Sequence, residues 1–195
     1  WTNEELVKWL NEAYQKILLF KPNANPVNIA MPCVAGTKQS IPVDGVYLLD
    51  VVRNLAGDKS AITPTDRRIL DATRRGWHNE VETLTIDQFL YDDQDQKNFY
   101  VYPPASALVS IEIIYAAVPA PHASVSATDG NTVISLDDRY APVLTDYILM
   151  RAYTKDADFA GNADRQRSHE GSFMSAMGLG AQAESASSPN NPANQ

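Results

Sequence analysis

The hydrophobic positions of this chain change period several times. Leu6, Leu10, Ala13, Tyr14 and Ile17 recur at helical spacing, with Trp9 and Leu18 widening the stripe. Ahead of them, Thr2-Asn3-Glu4-Glu5 has the form of a capping box, in which Thr2 accepts from the Glu5 amide and Glu5 reaches back. The pattern predicts an amphipathic helix over 3–20, ended by Pro22 and Pro26. The period then falls to two. Val27, Ile29 and Met31 alternate with polar or small residues, as in a half-buried strand. Gly36-Thr37 suggests a turn, and Asp44-Gly45 is a hairpin signal. The run "VYLLDVVRNL" reads as a strand, although its length also suits a short buried helix.

Thr63-Pro64 predicts a second helix, with Thr63 as cap and Pro64 at the first helical position. Ile69 and Leu70 form its buried side, and Arg67, Asp71 and Arg75 line one solvated face, with Gly76-Trp77 ending it. Residues 81–118 return to strands. "DQFLYDDQDQKNFYVYPP" reads as two short strands around an acidic turn, with Phe99, Val101 and Pro103 alternating with Tyr100 and Tyr102. "ALVSIEIIYAAVP" is the best strand, with Val109, Ile111, Ile113 and Tyr115 on one face and Glu112 on the other. A small-residue loop over 119–132 turns at Asp129-Gly130, and a short strand is expected at Val133-Ile134.

The stretch 136–162, "LDDRYAPVLTDYILMRAYTKDADFAGN", predicts a helix capped by Ser135 or Asp137, with Pro142 tolerated in its first turn. From Tyr140 to Tyr153 it has almost no polar face, so it must be covered on nearly every side by another helix or another subunit. A further helix follows Asn162 and carries Phe173, Met174 and Met177 near its end. Residues 179–195 hold one charge and little apolar bulk, too little to offset the entropy of ordering, so a flexible tail ordered by a partner is expected. The order helix, strands, helix, strands, two helices places the chain in the α+β class. The expected layout is one domain over 1–178, with β insertions around 27–55 and 87–136, and the tail 179–195.

Composition narrows the functional classes. A net charge of −8 argues against bulk affinity for DNA or anionic membranes. No apolar run approaches the roughly 18 residues that span a bilayer, so no membrane partner is expected. The single cysteine, Cys33, rules out an intramolecular disulfide and a cysteine-based metal site, and reads as a small buried hydrophobe. His78, His122 and His169 fall in separate elements, and no glycine-rich phosphate loop or nucleophile elbow is present. No catalytic, metal or cofactor residue is therefore assigned.

The acidic group Asp87, Asp92, Asp93 and Asp95 lacks the spacing of a calcium loop and reads first as a solvated turn. An acid/base hydrolase using it is the weakest alternative. Arg67, Arg68, Arg74 and Arg75 are interleaved with Asp66 and Asp71, and suit an ion-paired helix face or an acidic protein neighbour. Tyr100 and Tyr102, beside Pro103-Pro104, suit either core or interface.

Four ordered segments carry a resemblance: "WLNEAYQKIL", "GTKQSIPVDGVYLLDVVRN" at 36–54, "FLYDDQDQKNFYVYPP" at 89–104 and the stretch 136–162. Together they resemble the head-to-tail adaptor (connector) proteins of short-tailed, podovirus-type bacteriophages over most of residues 6–178. The resemblance implies a helical-bundle body with a small antiparallel sheet or hairpin insertion and a C-terminal extension. It implies a non-catalytic virion protein of the neck or tail, made in the host cytoplasm and needing no cofactor. It also implies a ring of about twelve copies between the portal protein and the tail nozzle protein, through which DNA passes without specific binding. The alternative is a binding or scaffolding module of another assembly. The residues expected at partner contacts are Tyr100, Tyr102, Tyr147, Tyr153, Phe173, Met174, Met177 and Leu179.

Overall fold

A computed structural model describes residues 1–123, 132–156 and 158–187, with side chains described through residue 178. The elements in chain order are α1 (Asn3–Phe20), β1 (Pro26–Pro32), β2 (Gly36–Ser40), β3 (Gly45–Asn54), β4 (Thr63–Pro64), α2 (Arg67–Thr73), β5 (Gln88–Tyr91), β6 (Asn98–Ala105), β7 (Ser110–Ala117), α3 (Ala141–Lys155) and α4 (Asn162–Ser187). The class is α+β. The chain forms two compact units, Trp1–Ala24 with Pro119–Gln195, and Asn25–Val118.

The helical unit contains α1, α3 and α4. The capping box forms as the sequence predicts: Thr2 Oγ1 accepts from the Glu5 amide at 3.3 Å, and Glu5 accepts from the Thr2 amide at 3.0 Å. Asp137 caps a 3₁₀ turn, Asp138–Tyr140, that runs straight into α3, and Pro142 lies in the first turn of that helix. Both α1 and α4 pack on α3, burying Val143, Leu144, Tyr147 and Ala152, while Ile148, Leu149, Met150 and Tyr153 stay partly exposed, so the cover is less complete than the sequence led one to expect. Their core joins Ala13, Tyr14 and Ile17 of α1, Val143, Leu144 and Tyr147 of α3, and Phe173 and Met177 of α4. Lys155 pairs with Glu5, and Arg151 with Glu12 at 3.2 Å. Exposed pairs of this kind add little stability. They fix the register in which α1 lies on α3 while apolar burial holds the helices together.

Residues 132–134 are irregular, so the strand expected at Val133-Ile134 does not form. Side chains hold this segment in place of a strand ladder: the Tyr14 hydroxyl accepts from the Ser135 amide at 3.0 Å, and Ser135 Oγ donates to the Ala120 carbonyl at 2.7 Å. The turn expected at Asp129-Gly130 lies outside the described residues. Helix α4 continues through Ser187, past Gly178, and residues 188–195 of the expected tail lie outside the described residues.

The β unit is a sandwich. One sheet has the order β1-β7-β3 and the other β2-β6-β5-β4, all antiparallel except the short β4–β5 pair. Their facing sides share one core, including Met31, Val51, Ile111 and Ile113 from the first sheet and Phe89, Phe99 and Val101 from the second. β7 is the central strand of its sheet, which is why its sequence is the most strand-like in the chain.

Two turn signals resolve differently from the sequence reading. The chain does reverse at Asp44-Gly45, with the Gly45 amide donating to Pro42 O at 2.9 Å, but the flanking strands do not pair with each other. β2 pairs with β6 and β3 with β7, so the turn carries the chain from one sheet to the other. A Cβ at Gly45 would lie 2.6 Å from Ile41 Cδ1 and 3.0 Å from Pro42 O, so a larger residue at this crossing would force the Ile41 side chain to move. Thr63-Pro64 does not open a helix. It forms β4 beside β5, and Asp66 caps α2 by accepting from the Arg68 amide at 2.8 Å. That shift leaves Leu70 buried and Ile69 57% exposed, where both were expected inside.

The Glu5 carboxyl is held below its ordinary pKa, first by the hydrogen bond from Lys155 and then by the Thr2 amide. A carboxyl depressed in the folded state adds stability above its unfolded pKa and loses that contribution as pH falls through the folded value. Melting Glu5→Gln beside the parent from neutral pH to about pH 3 should show a shallower acid-side loss in the variant. Parallel curves would contradict this.

Candidate interaction surfaces

The residues expected at partner contacts fall into distinct settings. Tyr147, Phe173 and Met177 are buried in the helical core. Phe173 lies 5.4 Å from Tyr147 and 6.2 Å, edge-on, from Phe20 of α1 (centroid distances). The packing these three make is within the chain. Met174, next to Phe173, turns outward and is 49% exposed, and Leu19 and Phe20 at the end of α1 are exposed apolar residues of the same unit. They escaped the sequence reading because they continue the α1 stripe past the face that α3 and α4 cover. Their signal was two apolar residues directly before the Lys21-Pro22 stop.

Tyr153 is half-buried in a stack. Its ring lies parallel to His169, centroids 5.7 Å apart, with Trp1 edge-on at 6.1 Å and the Arg165 guanidinium 5.7 Å above it. His169 Nδ1 is 2.9 Å from Asp146 Oδ1, which ties α4 to α3. The backbone at Leu179 is helical, and its side chain lies outside those described.

Tyr100 and Tyr102 sit on the outer side of the second sheet, where Trp77 covers them edge-on at 6.2 and 6.3 Å. Trp77 is fully buried, with Leu70 and Leu90, and its indole N–H donates to Asp71 at 3.0 Å. His78 stacks on Trp77 at 3.7 Å and meets Thr37 Oγ1 through Nδ1 at 2.8 Å. The tyrosine edges are finished by arginines. Arg67 lies 5.8 Å over Tyr100, Arg74 lies 5.6 Å over Tyr102, and the Tyr102 hydroxyl donates to Glu80 at 3.2 Å. Burial and that bond to Glu80 raise the Tyr102 hydroxyl above its ordinary pKa. The arginine cluster is thus partly an internal device that clamps α2 onto the sheet.

The acidic turn is solvated. Asp92 accepts from the Gln94 amide at 2.9 Å, and Asp95 from Asn98 Nδ2 at 2.7 Å. Asp92 and Asp93 face Arg67 and Arg68 across an open groove of about 740 Å³ floored by Leu90 and Tyr100. Among the described residues, no group of three or more His, Cys, Asp or Glu side chains converges as a metal site. Burial pushes the Cys33 thiol up to about 11, so it stays protonated and inert at neutral pH. His122 has partners the sequence did not disclose. Asn11 donates to its carbonyl and accepts from its amide, both at 2.9 Å, and the Tyr14 hydroxyl lies 2.9 Å from its Nε2. No described helix is long and apolar enough to cross a membrane.

The model of the SU10 adaptor protein family matches residues 1–193. No curated protein matches the chain.

The contrast between neighbours on α4 is directly measurable. Phe173→Ala should lower unfolding stability by about 3–5 kcal/mol, since it empties a packed aromatic site. Met174→Ser should change it by less than about 0.5 kcal/mol. Equal losses in denaturant titrations would show that Met174 is also a core residue.

Proposed function

The chain belongs to the SU10 adaptor protein family, and from that premise we propose that it forms a closed ring of about twelve copies joining the portal to the tail nozzle. It is a structural, non-catalytic virion protein, a head-to-tail adaptor of tailed phages whose partners are portal or tail components. In the proposed arrangement it occupies the neck of the particle, having been made in the host cytoplasm. The observation that carries the reading is the family match along 1–193. Three features of the molecule support the finer assignment.

First, α4 continues as helix through Ser187, beyond Met177, which belongs to the helical core. The portal is the proposed partner of this end of α4, through the segment from Leu179, whose sequence holds one charge and little apolar bulk. Second, Leu19, Phe20 and Met174 leave apolar side chains outside the helical core, as a lateral contact between copies requires. Tyr153, Tyr100 and Tyr102 are proposed as half-buried residues at the margins of such contacts. Third, a net charge of −8 suits a conduit that lets a polyanion pass without gripping it.

Removal of residues 179–195 tests the portal assignment. In sedimentation with the portal protein of the same genome, the full chain should shift into a large complex. The chain ending at Gly178 should lose that shift while keeping its own melting transition. Undiminished portal binding by the shortened chain would refute the assignment of the C-terminal segment.

A further inference from the structure

Each sheet of the β unit ends in two edge strands, β1 and β3 in one and β2 and β4 in the other. An edge strand turns part of its backbone N–H and C=O groups away from its sheet, and proteins guard such rows. Three of these edges are guarded. On β3 the Leu48 amide donates to the Tyr91 hydroxyl at 3.3 Å and the Val51 amide to Asp50 Oδ1 at 2.8 Å, and the register with β7 shifts repeatedly. β2 carries Lys38 beside a register shift. β4 is only two residues long.

β1 is the regular edge, paired with β7 from Pro26 to Pro32 without a shift. Next to its two ends, the Cys33 amide donates to Val109 O at 2.8 Å and the Ala117 amide to Asn25 O at 2.9 Å. In that register the odd-numbered residues turn their backbone groups to β7 and the even-numbered ones turn theirs outward. The outward row is therefore Pro26, Asn28, Ala30 and Pro32. The prolines have no N–H to offer. Between them lies a short window centred on Ile29, with the N–H and C=O groups of Asn28 and Ala30. Among the described residues nothing bonds those two outward amides. The charges beside the window, Glu112 and Arg53, pair with each other on the face of the sheet. Ala30 is exposed, and the half-buried Ile29 packs against the sandwich core.

The chain also holds a strand-forming sequence with no ladder. Thr132-Val133-Ile134 is a run of β-branched residues, which favour strands. It is irregular in the single chain, and Val133 is 77% exposed. The bonds of Ser135 to Tyr14 and to Ala120 hold it from behind. It is uncharged, and it matches the window in length. Laid antiparallel with Val133 opposite Ile29, it sets Thr132 and Ile134 opposite Ala30 and Asn28, which allows about four backbone hydrogen bonds. Val133 then covers Ile29 as a cross-strand neighbour. Within one copy β1 pairs with β7 alone. Edge and strand are different surfaces, so their contact between copies is heterologous. Every copy gives one strand and receives one, and a series of that kind can close as a ring, whereas a symmetric contact stops at two. We infer that residues 132–134 of one copy add as a strand to the β1 edge of the next. The inference rests on the ring reading and names a lateral contact that closes it.

Two single substitutions and one engineered bond test it in the full chain. Ala30→Pro removes an outward amide that has no partner within the chain, as Pro26 and Pro32 already do in the same row. Val133→Asp charges an exposed side chain. Both melting transitions should match the parent. In sedimentation, alone and with the portal protein of the same genome, the parent should reach ring size. Each variant should require an about tenfold or greater concentration to do so. Oxidised Ala30→Cys/Thr132→Cys should give covalent species of two and more chains, since facing residues of a ladder lie about 5.5 Å apart, within reach of a disulfide. Rings formed by both single variants at the parent's concentration would overturn the strand contact and leave the ring reading standing. A disulfide confined within single chains would place the strand on its own copy's edge and also overturn it. A parent that forms no ring under either condition would refute the ring reading and this inference with it.

Discussion

Helix α3 carries a buried apolar face, Val143, Leu144, Tyr147 and Ala152, and the helical unit is organised around covering it. That face meets α1 and α4 together, while Asp146 and Arg151 of the same helix pair with His169 of α4 and Glu12 of α1. α4 follows directly, but α1 comes from the other end of the chain. Bringing residues 3–20 onto residues 141–155 makes the intervening sequence an excursion that must leave and return. The β unit meets that requirement internally: its first and last strands pair along their whole length, from Pro26 with Ala116 to Pro32 with Ser110. One apolar helix thus dictates both the composition of the helical core and the closed topology of the insertion.

The division of labour follows from where each unit spends its aromatic residues. In the helical unit they are mostly internal, with Tyr14, Tyr140, Tyr147 and Phe173 in the core. In the β unit Trp77 is consumed in covering Tyr100 and Tyr102. What remains outside includes Leu19 and Phe20 at the end of α1 and Met174 on α4. Surfaces of that kind match a protein whose stability is completed by assembly, because binding to the folded state alone deepens its stability by mass action.

Much of the fold was legible in the sequence. The α1 capping box, the alternating β1, the β5–β6 pair around an acidic turn, and β7 as the dominant strand all follow from local chemistry. The misreadings share a cause. Asp44-Gly45 looks like a hairpin because turn chemistry is local, whereas the pairing of β2 with β6 and of β3 with β7 is set by distant residues. Thr63-Pro64 has the form of a helix start, yet a two-residue ladder with β5 and a better cap at Asp66 outcompete it. The candidate contacts were legible only in part. Pattern alone marked Tyr147, Phe173 and Met177 as important without separating core from surface: Tyr147 lies among apolar neighbours on α3, and Phe173 and Met177, four residues apart on one face of α4, have the outward Met174 beside them.

Electron cryo-microscopy of the full chain mixed with the portal protein of the same genome reads the central claim directly. The account predicts a closed ring of this chain stacked coaxially on the portal, with density from the end of α4 entering the portal. Isolated single copies, or a ring that forms without touching the portal, would contradict it.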